Sequence, residues 1–170
     1  MKEKTVCFTG HRPEKLPFNG DISISEVKSL ISKLYAEIDR SVEQGYTTFI
    51  SGMAKGIDIW AAKYIVELKT TNPQIKLICA VPYKGFASGW KGVDRWDYGW
   101  ITDHADQIVY VSEKYSPYCM KKRNEYMVDR SAKLIAVVSD YSSGTGQTIR
   151  FAEKNKLEMF IIPALMEKLT

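Results

Sequence analysis

Cysteine and histidine are scarce in this 170-residue chain, which has three cysteines and two histidines. Cys7, Cys79 and Cys119 lie far apart, and their spacing matches no common zinc motif. Adding His11 and His104 completes no tetrahedral ligand set of the usual kind. We therefore expect no metal site, and we interpret Cys7 and Cys79, which lie within apolar runs, as core residues.

Long apolar runs are also missing. No segment approaches the length of a membrane span, so we expect no membrane insertion. The first residues contain no signal-peptide core, which favours a cytoplasmic protein. No linker, repeat or low-complexity segment divides the sequence, and its length suits one core. We therefore predict a single domain over residues 1–170.

The chain carries almost no excess of positive or negative charge. The net charge is only +4, and the basic residues are scattered apart from the run at 121–123. A dedicated DNA-binding protein usually carries a stronger basic stripe. The charge permits an anionic ligand, whereas it argues against nucleic acid as the partner.

What the sequence does contain is a regular alternation of short apolar runs with helical patterns. The runs are apolar on both faces, as in strands of a covered parallel sheet. The alternation predicts an α/β fold with a mainly parallel sheet of about six strands and helices on both faces. The predicted strands are Val6–Gly10, Thr47–Ile50, Lys76–Pro82, Gln107–Val111, Lys133–Val138 and Met159–Ile162.

Two helical segments allow more specific expectations. Ser23 and Glu26 have the spacing of a capping box, which predicts Ser23 as the N-cap of the first long helix. Trp96 and Trp100 lie four residues apart in an aromatic-rich helical segment, and such a stripe is typical of core packing. Trp90 follows a loop at the end of a strand, so the alternative of a wall over a nucleobase stays open.

A loop of small residues, Ser51–Asp58, lies between the second strand and the following helix. The first N–H groups of a helix have no partner inside it, and the helix dipole places partial positive charge there. Gly52 and Gly56 let backbone approach a ligand closely. The loop therefore suits a phosphate or a carboxylate. Asp58 either stabilises the helix dipole or contacts a ligand hydroxyl.

Two further loops of this kind follow other strands. Gly10–Pro13 contributes His11 and also Arg12, which can hold a phosphate bidentately or simply lie at the surface. Asp140–Thr148 is a second loop of small residues, and we expect a helix from Ile149 onward. Because ligands of parallel sheets bind at the carboxyl ends of the strands, the three loops should converge on one crevice.

The spaced set of motifs resembles the YpsA-like proteins. These belong to the SLOG superfamily of Rossmann-like domains, which also includes DprA and the Lonely Guy (LOG) proteins. The resemblance covers nearly the whole chain. Its motifs are Thr9–Pro13, Ser51–Asp58, Arg123-Asn124 with Met127 and Asp129, and Ser143–Thr145 with Thr148 and Ala152.

The resemblance implies a doubly wound, Rossmann-like fold that binds a nucleotide or nucleotide-derived ligand, such as ADP-ribose or NAD. It implies a sensing or regulatory role linked to cell division or stress in Gram-positive bacteria, and it allows a homodimer. The ligand-binding residues predicted from the loops and the resemblance are Gly10, His11, Arg12, Ser51, Gly52, Met53, Gly56, Arg123, Asn124, Ser143, Gly144 and Thr145.

Two other functions stay open. LOG proteins are phosphoribohydrolases that pair an arginine with a glutamate, and Arg123 matches the arginine, whereas Gln147 stands where the glutamate would be. Glutamine cannot serve as a carboxylate acid or base. Arg123 and Asp58 are then the catalytic candidates of an N-glycosidase, with Asp129 and Asp140 as other carboxylates. The third function is DprA-like binding of single-stranded DNA or of a protein.

Overall fold

The computed structural model describes residues 1–164, in which six strands form one sheet that is parallel throughout. Each strand except the fourth and sixth is largely buried, because helices cover both faces. The strands are β1 (Thr5–Gly10), β2 (Thr48–Ser51), β3 (Lys76–Tyr83), β4 (Gln107–Ser112), β5 (Lys133–Val138) and β6 (Glu158–Pro163).

The strand order is β4-β3-β2-β1-β5-β6. The chain moves outward from β1 to β4 and then returns to place β5 on the other side of β1. Cys7 in the central strand accordingly lies opposite Ile50 of β2 and Leu134 of β5. The reversal between β1 and β5 creates a crevice at the carboxyl ends of these strands, where ligands of such sheets bind.

The helices form two layers. The first three pack on the sheet face that carries Phe8 and Phe49, and the last two pack on the face that carries Cys7 and Ile50. The predicted α/β fold with a doubly wound parallel sheet is confirmed. The helices are α1 (Ser25–Glu43), α2 (Ile57–Thr71), α3 (Gly92–His104), α4 (Cys119–Asp129) and α5 (Gly144–Lys154).

The first helix begins differently from the prediction. Ser23 donates from both its backbone N–H and its hydroxyl to Oδ1 of Asp21, at 2.9 and 2.7 Å. This local turn keeps the Ser23 side chain from capping a helix. The N-cap is Ile24 instead, and no side chain caps this helix end, so the predicted capping box with Glu26 was wrong.

The last helix begins earlier than expected, at Gly144 rather than at Ile149. The hydroxyl of Ser143 caps it by accepting from Gly146 N at 3.3 Å. Packing requires glycine at position 146, because a Cβ there would lie 1.9 Å from the carbonyl oxygen of Tyr141. The glycines at 144 and 146 led to the prediction of a loop here, whereas they lie in the first turn of a helix.

The aromatic stripe of α3 is only partly core. Trp100 is partly buried and packs against the core, whereas Trp96 is 65% exposed and stacks on Trp100 with ring centroids 6.3 Å apart. The core prediction was therefore wrong for Trp96. Within residues 1–164 no helix is long and apolar enough to cross a membrane. Residues 165–170 of the predicted single domain lie outside the described part.

Candidate functional site

A crevice of about 230 Å³ lies at the carboxyl ends of the strands, at the reversal between β1 and β5. It is lined by the loop after β1, the loop after β2, the first half of α4 and the start of α5. Four separate elements thus meet at one point, as the sheet topology dictates. The lining residues are Thr9, Gly10, His11, Arg12, Glu14, Lys15, Ala54, Asp58, Met120, Arg123, Asn124, Ser143, Gly144 and Thr145.

The loop after β1 passes close to the start of α2. A Cβ at Gly10 would lie 2.4 Å from Cγ1 of Ile57, so only glycine lets β1 and α2 approach this closely. Beyond it, a short 3-10 helix at Pro13–Lys15 carries the chain along the rim of the crevice. Arg12 and Lys15 are exposed there and supply two positive charges.

His11 joins two of the loops. Its side chain is buried, and its Nε2 accepts hydrogen bonds from the backbone N–H groups of Ser139 at 3.0 Å and Asp140 at 3.2 Å. An imidazole that accepts at Nε2 is neutral and carries its proton on Nδ1. Burial lowers the pKa of His11, and the nearby Lys15 lowers it further. His11 therefore holds the loop after β1 against the loop after β5.

The loop after β2 supports the crevice from below. Ser51 is fully buried, and its hydroxyl donates to the carbonyl of Asp58 at 2.9 Å and accepts from Met53 N at 3.2 Å. Met53 is also fully buried and has a left-handed backbone with φ 61°. Gly56 has φ 90°, and a Cβ there would lie 3.1 Å from Cδ of Pro13. These residues fix the shape of the loop and do not line the crevice.

Asp58 points into the crevice from the first turn of α2. It is 5% exposed, and its Oδ2 accepts from Ala54 N at 3.2 Å. Its Oδ1 has no hydrogen-bond partner anywhere in residues 1–164. Burial raises the pKa of the Asp58 carboxyl, and the positive guanidinium of Arg123 opposes this increase. An unpartnered buried carboxylate oxygen is costly, so it marks a position where a ligand donor fits.

Arg123 comes from α4 and crosses to the loop after β2. It is 5% exposed; its Nη1 donates to the carbonyl of Gly52 and its Nε donates to Oδ1 of Asn124 at 2.8 Å. A Cβ at Gly52 would lie 2.8 Å from Nη1, so glycine is required for this contact. Among the described residues, the sulfur of Met120, at 3.9 Å, is the one hydrogen-bond acceptor of Nη2. This nitrogen therefore keeps donor capacity for a ligand.

The third side of the crevice is the N-terminus of α5. Ser143 caps the helix, and Gly144 and Thr145 form its first turn. The N–H groups of a first helical turn have no partner inside the helix, and the dipole is positive there. Together with Arg12 and Lys15 this end of α5 gives the rim positive charge, which the exposed carboxylate of Glu14 partly offsets.

The structure separates the predicted binding residues into two groups. Ser51, Gly52, Met53 and Gly56 build the loop behind the crevice. Lys15 also lines the crevice and was not among the predicted residues, although a basic residue two positions after the Gly10–Pro13 loop was a usable signal. The predicted residues that line the crevice are Gly10, His11, Arg12, Arg123, Asn124, Ser143, Gly144 and Thr145.

The other carboxylates and Gln147 lie elsewhere. Gln147 is exposed and lines a separate cavity of about 60 Å³ beside α4. Asp129 lines a cavity at the opposite ends of the strands, with Thr5 and Thr48. Asp140 is exposed, and its Oδ1 accepts a hydrogen bond from the backbone N–H of Ser142. Within the described range no three His, Cys, Asp or Glu side chains form a metal-binding group.

Residues 6–164 of the chain match the protein-family model YpsA, which is described as the "YspA SLOG family". A UPF0398 protein of Bacillus thuringiensis is 31% identical over 161 residues, which cover 92% of this chain and 85% of the relative. A second relative is the "Uncharacterized SPbeta prophage-derived protein YoqJ" of Bacillus subtilis, which is 33% identical over 141 residues. The match covers 75% of this chain and 82% of the relative.

Two solved structures share the fold. DNA processing protein A (DprA) from Streptococcus pneumoniae superposes with a TM-score of 0.64 at 18% identity, over 98% of this chain and 53% of that one. The DprA from Helicobacter pylori, studied for its single-stranded DNA binding mode, gives a TM-score of 0.61 at 16% identity, over 98% and 68%. The chain thus spans about half of the pneumococcal protein.

Proposed function

Because the chain belongs to the YspA SLOG family, we propose that its crevice binds a nucleotide or nucleotide-derived ligand of the ADP-ribose or NAD type. The protein then acts as a sensing or regulatory domain. One observation carries this proposal: a rim on which Arg12 and Lys15 outnumber the single carboxylate of Glu14 surrounds a buried carboxylate oxygen, Oδ1 of Asp58, that has no partner within the described residues. A sugar phosphate matches both features, because it combines an anion with hydroxyl donors.

The rim suits the phosphate. Arg12 and Lys15 are exposed side chains that can close on an anion, and the start of α5 at Gly144 adds backbone N–H groups. Hydrogen bonds to charged groups contribute about 1.5–3 kcal/mol each. Two such side chains therefore account for an affinity difference of a hundredfold or more.

The floor suits the sugar. A ribose hydroxyl that donates to Oδ1 of Asp58 gives the buried carboxylate the partner that it lacks in residues 1–164. Arg123 lines the same crevice, and its Nη2 can donate to a ribose or phosphate oxygen. An anion without a hydroxyl group, such as sulfate, would leave Oδ1 unpartnered, so the floor favours a ligand with hydroxyl groups.

Calorimetry with ADP-ribose, NAD and AMP tests this proposal. We expect at least one of them to bind the wild type, and we expect the double variant Arg12→Ala/Lys15→Ala to lose about a hundredfold in affinity. Lys28→Ala/Lys33→Ala removes two exposed charges from α1, away from the crevice, and should bind like the wild type. Absence of binding, or equal losses in both double variants, would reject the proposal.

Single-stranded DNA is the second candidate, and the shared fold with a DprA whose single-stranded DNA binding mode has been studied favours it. The crevice is also open enough at its rim for Arg12 and Lys15 to meet a strand's phosphates. The expectation that nucleic acid is not the partner therefore stays a prediction, as does the homodimer. A shift of labelled single-stranded DNA that weakens with salt would support this candidate.

A nucleotide N-glycosidase is the third candidate, and the buried carboxyl of Asp58 favours it. Burial raises the pKa of Asp58, so this side chain is the crevice carboxyl best suited to donate a proton to a leaving base. Incubation with nucleotides and NAD, followed by chromatography of the products, tests this reaction. Release of a free base that Asp58→Asn abolishes would establish it.

A further inference from the structure

A second cavity, of about 360 Å³, adjoins the crevice. The two share Arg12, Glu14, Ala54 and Met120 as common wall residues. A molecule that enters the crevice can therefore extend into the second cavity without crossing the protein core. We refer to it as the aromatic cavity, because its remaining lining residues are Lys55, Tyr83, Phe86 and Trp90.

The aromatic walls come from the end of β3 and the loop after it. Tyr83 and Phe86 pack edge to face with ring centroids 5.6 Å apart, and Phe86 and Trp90 do so at 5.4 Å. Tyr98 of α3 contacts Trp90 from another side, with ring centroids 5.4 Å apart. Edge contacts from two neighbours position the indole of Trp90 in the wall of the cavity.

Lys55 is the polar group of the aromatic cavity. Its Nζ lies 5.2 Å from the centroid of the Trp90 ring and 3.6 Å from Oδ2 of Asp94. Both partners of this ion pair are about half exposed, so the pair is weak and Lys55 can move away. Such a lysine can expose the indole to a ring and donate to a ring nitrogen or oxygen.

From this arrangement we infer that the aromatic cavity takes the nucleobase of a nucleotide whose sugar and phosphate lie in the crevice. Planar rings stack on aromatic side chains whatever the base, and Trp90, Tyr83 and Phe86 are the aromatic residues that line this cavity. The inference rests on the proposed function and narrows it. The ligand class is a nucleotide with its base attached, rather than a sugar phosphate or an inorganic anion.

A pair of ligands that differ only in the base tests this inference. In calorimetry, AMP should bind the wild type on the order of ten- to a hundredfold more tightly than ribose 5-phosphate, since stacking on one aromatic platform contributes that much. Trp90→Leu should remove this difference and leave ribose 5-phosphate binding unchanged. Trp96→Leu, at an exposed tryptophan outside the cavity, is the matched control.

A second measurement uses the wild-type protein, so it does not depend on whether a variant folds. The indole N–H signal of Trp90, assigned through its contacts with Phe86 and Tyr98, should shift with AMP and stay in place with ribose 5-phosphate. Equal affinities for the two ligands with an unmoved Trp90 signal would overturn this inference alone. Failure of the wild type to bind either ligand would overturn it together with the proposed function.

Discussion

Asp58→Asn should weaken ligand binding and at the same time stabilise the fold. The carboxyl is 5% exposed, and its Oδ1 has no partner within residues 1–164. Its pKa is raised because burial outweighs the attraction of Arg123. The native state therefore binds this proton more tightly than the unfolded chain does, and the stability from this group declines as pH rises through the native pKa. At neutral pH the charged form thus carries a penalty, which asparagine lacks.

The magnitudes follow from the hydrogen bonds. An unsatisfied charged acceptor costs more than an unsatisfied neutral amide by about 1 kcal/mol. In a chain of this length that difference raises Tm by about 2–4 °C. A ligand hydroxyl that donates to the carboxylate of Asp58 contributes about 1.5–3 kcal/mol, so its loss should weaken binding on the order of ten- to a hundredfold.

Thermal unfolding and calorimetry with the same ligand check both halves of this prediction. Asp129→Asn is the matched control, because Asp129 is exposed and lies at the opposite ends of the strands. A stabilised Asp58→Asn variant with wild-type affinity would refute a ligand role for Asp58. A destabilised variant would refute the claim that burial of the charge dominates at this position.

Three further substitutions test contacts that shape the site or stabilise the fold away from it. In Gly52→Ala, the added Cβ would lie 2.8 Å from Nη1 of Arg123, so affinity should drop at least about tenfold and stability by about 1–3 kcal/mol in urea unfolding. Wild-type stability should decline below about pH 6.5, because the pKa of His11 is lowered in the native state and the unfolded chain therefore binds more protons at this pH. The His11→Gln variant should lose this part of the pH dependence. Lys133→Met leaves the buried carboxylate of Glu37, now 2.7 Å from Nζ, without its cation and should cost about 3–5 kcal/mol in urea unfolding at unchanged ligand affinity. Unaltered stability in Gly52→Ala or Lys133→Met, or an unaltered pH dependence in His11→Gln, would contradict the contact on which that variant depends.

Much of the fold follows from local patterns. In β5 all six residues are buried, and the five that follow Lys133 appear in the sequence as a continuous apolar run between helical segments. The loops at Gly10 and Gly52 were recognisable because small residues follow such runs. The strand order was not predictable, since the return of β5 to the central strand depends on long-range packing rather than on local sequence.

The site was only partly predictable for a related reason. His11 bonds to backbone groups 128 and 129 positions away, and Arg123 bonds to Gly52 across 71 positions. Neither contact leaves a pattern in one sequence. The start of α5 at Gly144 was missed because glycine there usually indicates a loop, whereas Ser143 caps a helix that contains it.

Chemical-shift mapping with ADP-ribose tests the central claim most directly, because it reports both whether a nucleotide-derived ligand binds and where it binds. The predicted result is a set of saturable backbone amide shifts confined to residues 9–15, 54–58, 83–90, 120–124 and 143–145, which line the crevice and the adjoining aromatic cavity. The absence of shifts at millimolar ligand would contradict the claim. So would shifts centred on the cavity at the opposite ends of the strands, beside Thr48 and Lys76.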